Sequence, residues 1–336
     1  MSRNRWRTRT SALGTLALGA IALALTAGTA SARELRISHQ FAEGDARHDL
    51  AAEFAKAVEE KTKGELTFKI FPSQALFKSA AQYDAMAKGA LDLSVFPLAY
   101  ASGKIPELDV TLMPCIITSV EDGMAWRNKE IGKRVERICE ERGMKILTWL
   151  WYAGGIGSRG KPVILPEDAK GLKFRAAGKM FEFMLNQAGA SITSMPSSEI
   201  YMALQTKVLD ACLTSAESFV SYRLYEQLEY LNTPDQYSIW YMAEPIVISM
   251  KTWESLSPSQ QKAVEEVGLS LEKKATQISV DANAVVSKVF QENKVKTHAM
   301  TLEEWKTWEK LAKETAWKEF AAKVPGGQEL LDLAKQ

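Results

Sequence analysis

Residues 161–176 read Lys161-Pro162-Val163-Ile164-Leu165-Pro166-Glu167-Asp168-Ala169-Lys170-Gly171-Leu172-Lys173-Phe174-Arg175-Ala176. A proline-bounded stretch gives way to a strand-like run from Leu172 to Ala176. Met180 to Ala188 is then helical, with Gly189 as its stop. Ser197 or Ser198 caps a further helix to about Lys207, and Leu209 to Leu213 is another short strand. Strand, helix and strand in this order predict α/β architecture, because a parallel pair needs a helical crossover between its strands.

The same rhythm runs through the N-terminal half. Leu35, Ile37 and His39 alternate with Arg36 and Ser38 as a first strand, and Leu50, Phe54, Ala57 and Val58 share one face of the following helix. Leu66, Phe68 and Ile70 alternate again. Ser79-Ala80-Ala81-Gln82 has the form of a capping box opening a helix that stops at Gly89. Leu91, Leu93 and Val95 make a third strand. Ser119 opens a long helix ending near Gly143, and Lys145 to Trp151 is a strongly apolar fourth strand. From Ser257-Pro258, an N-cap followed by a first-turn proline, apolar residues recur at helical spacing to Phe290. One helix over that span exceeds forty ångströms at about 1.5 Å per residue, long enough to touch two domains. A last helix carries Trp305, Trp308 and Leu311. There is no internal repeat, low-complexity tract or flexible linker.

The chain has 336 residues. Arg3, Arg5, Arg7 and Arg9 precede an apolar run from Ala12 to Thr26, and Ala30-Ser31-Ala32 follows as a small-x-small cleavage pattern; residues 1–32 read as a secretory signal peptide. The apolar run is short for a membrane anchor. The remaining length, about 300 residues, suits roughly two domains. The formal charge of +1 turns slightly negative without the leader arginines, which argues against nucleic acid or an anionic membrane as partner. Cys115, Cys139 and Cys212 are an odd set with no zinc spacing, and small buried side chains are their expected role.

Gly155-Ile156-Gly157-Ser158-Arg159-Gly160 has the form of a dinucleotide loop, but Lys161-Pro162-Val163 follows where a helix N-terminus must face the pyrophosphate. A flexible crossover between domains is the expected use of these glycines. The histidines, His39, His48 and His298, form no metal-binding pattern, and no G-x-S-x-G elbow exists. Neither a cofactor, a metal nor an enzyme activity is expected.

Several segments in order carry a family resemblance. Leu165-Pro166-Glu167-Asp168 with Gly171-Leu172-Lys173-Phe174-Arg175 resembles the "P-E-D-L-K-G-L-K-I-R" segment of the DctP-like solute-binding proteins of TRAP transporters. Met195-Pro196-Ser197-Ser198-Glu199-Ile200-Tyr201-Met202-Ala203-Leu204-Gln205 is similar to their "M-P-F-S-E-V-Y-T-A-L-Q", and Lys207-Val208-Leu209-Asp210 to their "G-V-V-D". Phe71-Pro72-Ser73-Gln74-Ala75-Leu76 and Gly89-Ala90-Leu91-Asp92 resemble "F-P-S-G-Q-L" and "G-A-I-D". The likeness covers nearly the whole mature chain.

The resemblance implies a two-lobed periplasmic-binding-protein fold of mixed, mostly parallel sheets, with a long helix spanning both lobes. Residues 33–152 plus about 241–283 would form lobe I, and 153–240 plus about 284–336 lobe II. It implies a periplasmic subunit that captures a small organic acid and hands it to TRAP membrane subunits. The arginine in the position of Arg175 grips the ligand's carboxylate in that family, and a planar guanidinium fork suits a carboxylate bidentately. Gln40 and Tyr100 match ligand-facing positions on the first lobe. Trp151 and Tyr152 border the cleft, and Tyr237 lies in a segment brought to the pocket. This chain departs from the pattern in three places. Gly154 stands where many members carry a second arginine, Thr214 replaces a ligand-contacting asparagine, and Ser197 replaces a phenylalanine that packs on the ligand. One lost arginine beside several aromatics points to a monocarboxylate or an acid with an apolar or ring portion. Two rival readings share the scaffold: a periplasmic enzyme acting on a small acid, and a sensor subunit that passes its closed form to a receptor.

Overall fold

The computed structural model describes residues 32–336; the signal peptide expected over residues 1–32 lies outside the described residues but for Ala32. Twelve strands are described: β1 (Arg33–Ser38), β2 (Leu66–Phe71), β3 (Leu93–Val95), β4 (Met144–Thr148), β5 (Trp151–Ser158), β6 (Lys173–Arg175), β7 (Ser191–Ile192), β8 (Ala211–Ser215), β9 (Tyr230–Thr233), β10 (Tyr241–Ala243), β11 (Ile246–Ser249) and β12 (Lys296–Ala299). They form two sheets. One has the order β2-β1-β3-β11-β4; the other runs β12-β9-β5-β8-β6-β7, with β10 paired to β5. This is the α/β, two-sheet framework that the alternation predicts.

The sheets are mixed, but antiparallel pairing takes a larger share than the βαβ rhythm suggests. β1 runs parallel to β2 and β3, β6 to β7 and β8, and β9 to β12. β5 opposes β8, β9 and β10, and β11 opposes β3 and β4. The reason is local. The expected apolar strand from Lys145 to Trp151 is two strands: β4 belongs to the first sheet, and the chain passes through Trp149-Leu150 into β5 of the second. It returns through Glu244-Pro245 between β10 and β11. The strands flanking these two crossings run against their neighbours.

Of the glycines expected as a flexible crossover, Gly160 follows β5 with a positive φ, but Gly155 and Gly157, with their neighbour Gly154, do not form one. These three lie within β5, and none has a positive φ. Their missing side chains make room instead. A Cβ on Gly154 would overlap the Thr214 carbonyl and come within 2.5 Å of the Trp240 ring. One on Gly157 would meet Leu228 at 2.5 Å and Phe219 at 2.8 Å. Close packing, rather than backbone freedom, requires glycine here.

Two long helices are also interrupted. The span from Ser119 divides into Val120–Ala125 and Glu130–Glu141, separated by a 3-10 turn at Trp126–Asn128. Trp126 is fully buried there, and Gly132 packs directly on its carbonyl. The helix expected from Ser257 to Phe290 is Pro258–Ser270 followed by Glu272–Glu292, with Leu271 between. The Thr148 hydroxyl bonds the Gly268 carbonyl at 3.0 Å, and a Cβ on Gly268 would strike the Leu147 carbonyl. The first helix packs on β4 and on helix Ala46–Lys61, whereas the second packs on β5, β9, β12 and helix Ala216–Ser221. The pair thus spans both sheets with a break over β4. Its N-terminus is the N-cap expected at Ser257, and Gln260 completes a capping box with it.

Candidate functional site in the interlobe cleft

In open α/β sheets the carboxyl ends of parallel strands face the ligand crevice. Gln40 follows β1, Tyr100 follows β3 in the turn Leu98–Ala101, and Arg175 is the last residue of β6. All three meet. Arg175 is 1% exposed. Its Nε donates to the Met195 carbonyl at 3.0 Å, Nη1 to the Leu213 carbonyl at 2.6 Å, and Nη2 to Tyr100 Oη at 3.1 Å. A guanidinium has five N–H donors, so two remain for a further acceptor. The same Tyr100 oxygen accepts the Ser197 backbone N–H at 3.1 Å and Gln40 Nε2 at 3.4 Å.

The neighbouring polar residues complete a lattice between the sheets. The Ser79 hydroxyl faces the amide oxygens of Gln40 and Gln74 at 3.1 and 3.0 Å. Gln74 Nε2 donates to Ser198 Oγ at 2.9 Å, and Tyr222 Oη to the Gln40 carbonyl at 3.2 Å. These bonds correct two expected caps. Helix Ser79–Ala87 starts without a side-chain cap, as does the turn at Ser197–Glu199. Ser79 is spent on Gln40 and Gln74 on the first-sheet side, and Ser198 accepts from Gln74 across the cleft. Beside this lattice lies a cleft of about 300 Å³ whose walls include Ala99, Tyr100, Ala176, Met195, Pro196 and Lys179.

The other expected site residues divide. Thr214 is buried in β8, between the carbonyl of Leu213 that binds Arg175 and Ser215. Trp151 and Tyr152 are both fully buried in β5, and alternation along a strand sends them to opposite faces. Trp151 stacks on Trp149 with centroids 6.1 Å apart, meets Trp126 edge-on at 5.1 Å, and covers Gly123. It packs in the core rather than on the Arg175 lattice. Tyr152 takes the other face, where the Arg47 guanidinium lies 5.3 Å from its ring centroid, and its hydroxyl has no protein partner. Tyr237 rests against Trp305, with ring centroids 6.4 Å apart, away from the Arg175 hydrogen bonds. Gly154 has no room for an arginine, since Trp240 and the Thr214 carbonyl occupy the space.

Arg47 escaped the sequence reading. It is fully buried in the first turn of helix Ala46–Lys61. Nε and Nη2 form a fork on Asp45 at 2.8 and 2.7 Å, and Nη1 binds Glu244 at 2.8 Å. Ser215 Oγ and Ser218 Oγ accept from Nη1 and Nη2 at 3.1 and 3.0 Å, and Phe41 lies under the guanidinium, 3.7 Å away. Burial opposes its charge, but Asp45 and Glu244 more than offset this and push its pKa upward. Burial also raises the carboxyls of Glu244 and Glu217, against the pull of Arg47. The only signal in sequence was an acid two residues before a base in a loop after a strand, which is too common to select.

Among the described residues no group of side chains could hold a metal ion, and no helix is long and apolar enough to cross a membrane. All three cysteines are free and buried.

A two-sheet α/β protein whose strand ends converge on a buried arginine at a cleft is, by class, a two-lobed solute-binding protein. Comparison with known proteins narrows this. The family of bacterial extracellular solute-binding proteins, family 7 (DctP), matches residues 37–323. A solute-binding protein of Albidiferax ferrireducens is 40% identical over 329 residues, covering 96% of this chain and 97% of its own. The crystal structure of a TRAP periplasmic solute-binding protein from Rhodoferax ferrireducens with bound malonate superposes with a TM-score of 0.88 at 40% identity, covering 90% of this chain and 97% of that one. A Bordetella pertussis extracytoplasmic solute receptor with pyroglutamic acid shares the fold at 18% identity and a TM-score of 0.82, covering 91% and 100%. The chain belongs to the DctP family of TRAP-type extracellular solute-binding proteins.

Proposed function

We propose that this chain is the periplasmic binding subunit of a TRAP secondary transporter, and that it captures a small organic carboxylate through Arg175 and delivers it to membrane subunits. The observation that carries the reading is the buried Arg175 guanidinium, with two N–H donors left over and a hydrogen bond to Tyr100, whose neighbourhood forms a wall of the cleft. A buried cation without a counter-ion is costly. A carboxylate supplies both the charge and the two acceptors. Gln40, Tyr100 and Ser197 share the hydrogen-bond lattice with Arg175, and Tyr100 also lines the cleft. The Rhodoferax relative with bound malonate supports the ligand class.

The cleft walls beyond Arg175 are mostly apolar, through Ala99, Ala176, Met195 and Pro196. This supports an acid carrying an apolar or ring portion, with Lys179 and Glu182 as the charged residues of the same walls. We assign residues 33–152 plus about 241–283 to one lobe and the rest of the mature chain to the other. Closure would bury the ligand's charge against Arg175, so the ligand stabilises the closed form by its differential affinity.

A thermal-shift screen of the mature protein against small organic acids tests the reading, because a ligand of the native state raises the melting temperature. Expected is a hit that Arg175→Ala abolishes while that variant stays folded. A screen in which only neutral sugars or cations shift the melt would remove Arg175 from its role. Saturation by a small dicarboxylate alone, with no response to ring-bearing acids, would sink the narrower ligand class.

A further inference from the structure

A second buried guanidinium, Arg47, stands apart from the one assigned to the ligand. Arg47 uses every N–H it has: two on Asp45, one on Glu244, one each on Ser215 and Ser218. No donor is left for a bound molecule. What distinguishes these partners is where they sit. Asp45 belongs to the same loop after β1. Ser215 and Ser218 begin the helix after β8, in the other sheet. Glu244 lies on the crossing between β10 and β11. Beside them, the Ala46 N–H donates to Glu217 Oε1 at 3.0 Å, adding a second bond between the same two loops.

We propose that Arg47 is a positioning residue for closure: a saturated guanidinium that clasps the loop after β1 to the loop after β8 at the root of the cleft, and sets how readily the closed form opens without touching the ligand. The proposal rests on the interlobe reading above. The division of labour follows from hydrogen-bond supply. Arg175 keeps two free donors, whereas Arg47 keeps none and faces three chain segments. When the lobes part, Asp45 travels with Arg47, so the guanidinium keeps a buried counter-ion throughout. The bonds to Ser215 and Ser218 and the Ala46–Glu217 bond are the ones that must break. The clasp thus opens without ever stranding a buried charge, whose cost would otherwise hold the lobes shut.

Amide hydrogen exchange on the full mature chain, without ligand, tests this at Ala46, whose N–H reports the joint between the loops. Ser218→Ala removes one Arg47 acceptor and leaves the helix cap at Ser215 in place. It is expected to speed exchange at Ala46 about tenfold, the worth of one charge-assisted hydrogen bond. The amides of β1 and the denaturation midpoint should hardly move. Arg47→Lys keeps the charge but loses the fork, and is expected to speed Ala46 exchange further. A merely structural role would loosen β1 and the midpoint together with Ala46. Exchange at Ala46 equal to wild type in Ser218→Ala, or loosening spread evenly over the chain, overturns the clasp. Repeating the measurement in excess malonate, with Arg175→Ala as control, bears on the carboxylate reading alone, so the two fail separately.

Discussion

Tyr100 Oη and Arg175 Nη2 lie 3.1 Å apart, joining the turn after β3 to the end of β6 across the cleft. The tyrosine oxygen is also the acceptor for the Ser197 N–H. With Gln40 Nε2, removing it leaves three donors to find other partners. Tyr100→Phe is therefore expected to fold normally and to bind its acid about tenfold more weakly by calorimetry, in line with one charge-assisted hydrogen bond. Unchanged affinity would take Tyr100 out of the ligand's surroundings.

Gly154 tests how tightly β5 is packed at the position where the resemblance expects a second arginine. Any Cβ there collides with the Thr214 carbonyl and the Trp240 ring. Gly154→Ala is expected to lower stability by about 3 kcal/mol in denaturant unfolding, the scale of overpacking in a dense core. Gly154→Arg is expected not to fold. A wild-type midpoint for Gly154→Ala would mean the packing yields where the structure says it is rigid.

Asp109 gives a pH dependence. Its carboxyl is buried, with Oδ1 accepting the Lys179 N–H at 3.2 Å and Oδ2 unpartnered. Burial pushes it up to about 7 from 3.8. Between those values the folded chain holds a proton the unfolded chain has lost, so stability falls as pH rises through this window. Asp109→Asn is expected to recover stability at pH 8, on the order of 3 kcal/mol, with little change near pH 4. Equal pH slopes in variant and wild type would refute this.

His39 acts in the opposite direction. Burial, then the nearby His48, lower it from 6.5 to about 4. The unfolded chain takes up a proton first as pH falls below 6.5, so this contribution is full above that value and is lost on acidification toward 4. His39→Gln is expected to flatten the acid side of the stability profile. An acid limb as steep as wild type would show that His39 is not its source.

The thiols are expected to be silent. Burial pushes Cys212 up to about 12 and raises Cys115 and Cys139 as well. A thiol reagent should detect none of the three in the native chain and all three after denaturation. Rapid labelling of any one without denaturant would contradict its burial.

Much of the fold was legible because it is written in local periodicity. The alternation at Leu66, Phe68 and Ile70 gave β2, and Ser257-Pro258 gave a helix start that the structure repeats. What was not legible depended on tertiary packing. Nothing local marks Trp149-Leu150 as a passage between sheets, since both strands it joins are equally apolar. The breaks at Trp126 and Leu271 arise from a buried indole and from carbonyls of β4. In the site, Gln40, Tyr100, Ser197 and Arg175 came from motif positions and do meet. Trp151 illustrates the limit: it sits one residue from Tyr152, and strand alternation sends it to the core. Arg47 left no trace because its partners lie in three separate segments.

Trp240 has a consequence for descent. Its ring fills the space over Gly154 that a longer side chain would need. A lineage carrying this pair cannot acquire an arginine at position 154 by one replacement, because the new side chain meets both the Trp240 ring and the Thr214 carbonyl. Shrinking Trp240 first would hollow out the glycine-lined face of β5. The two positions are thus locked to each other by epistasis. Diversification of what this protein accepts is channelled toward the walls around Tyr100 and Met195, where single replacements leave the scaffold intact.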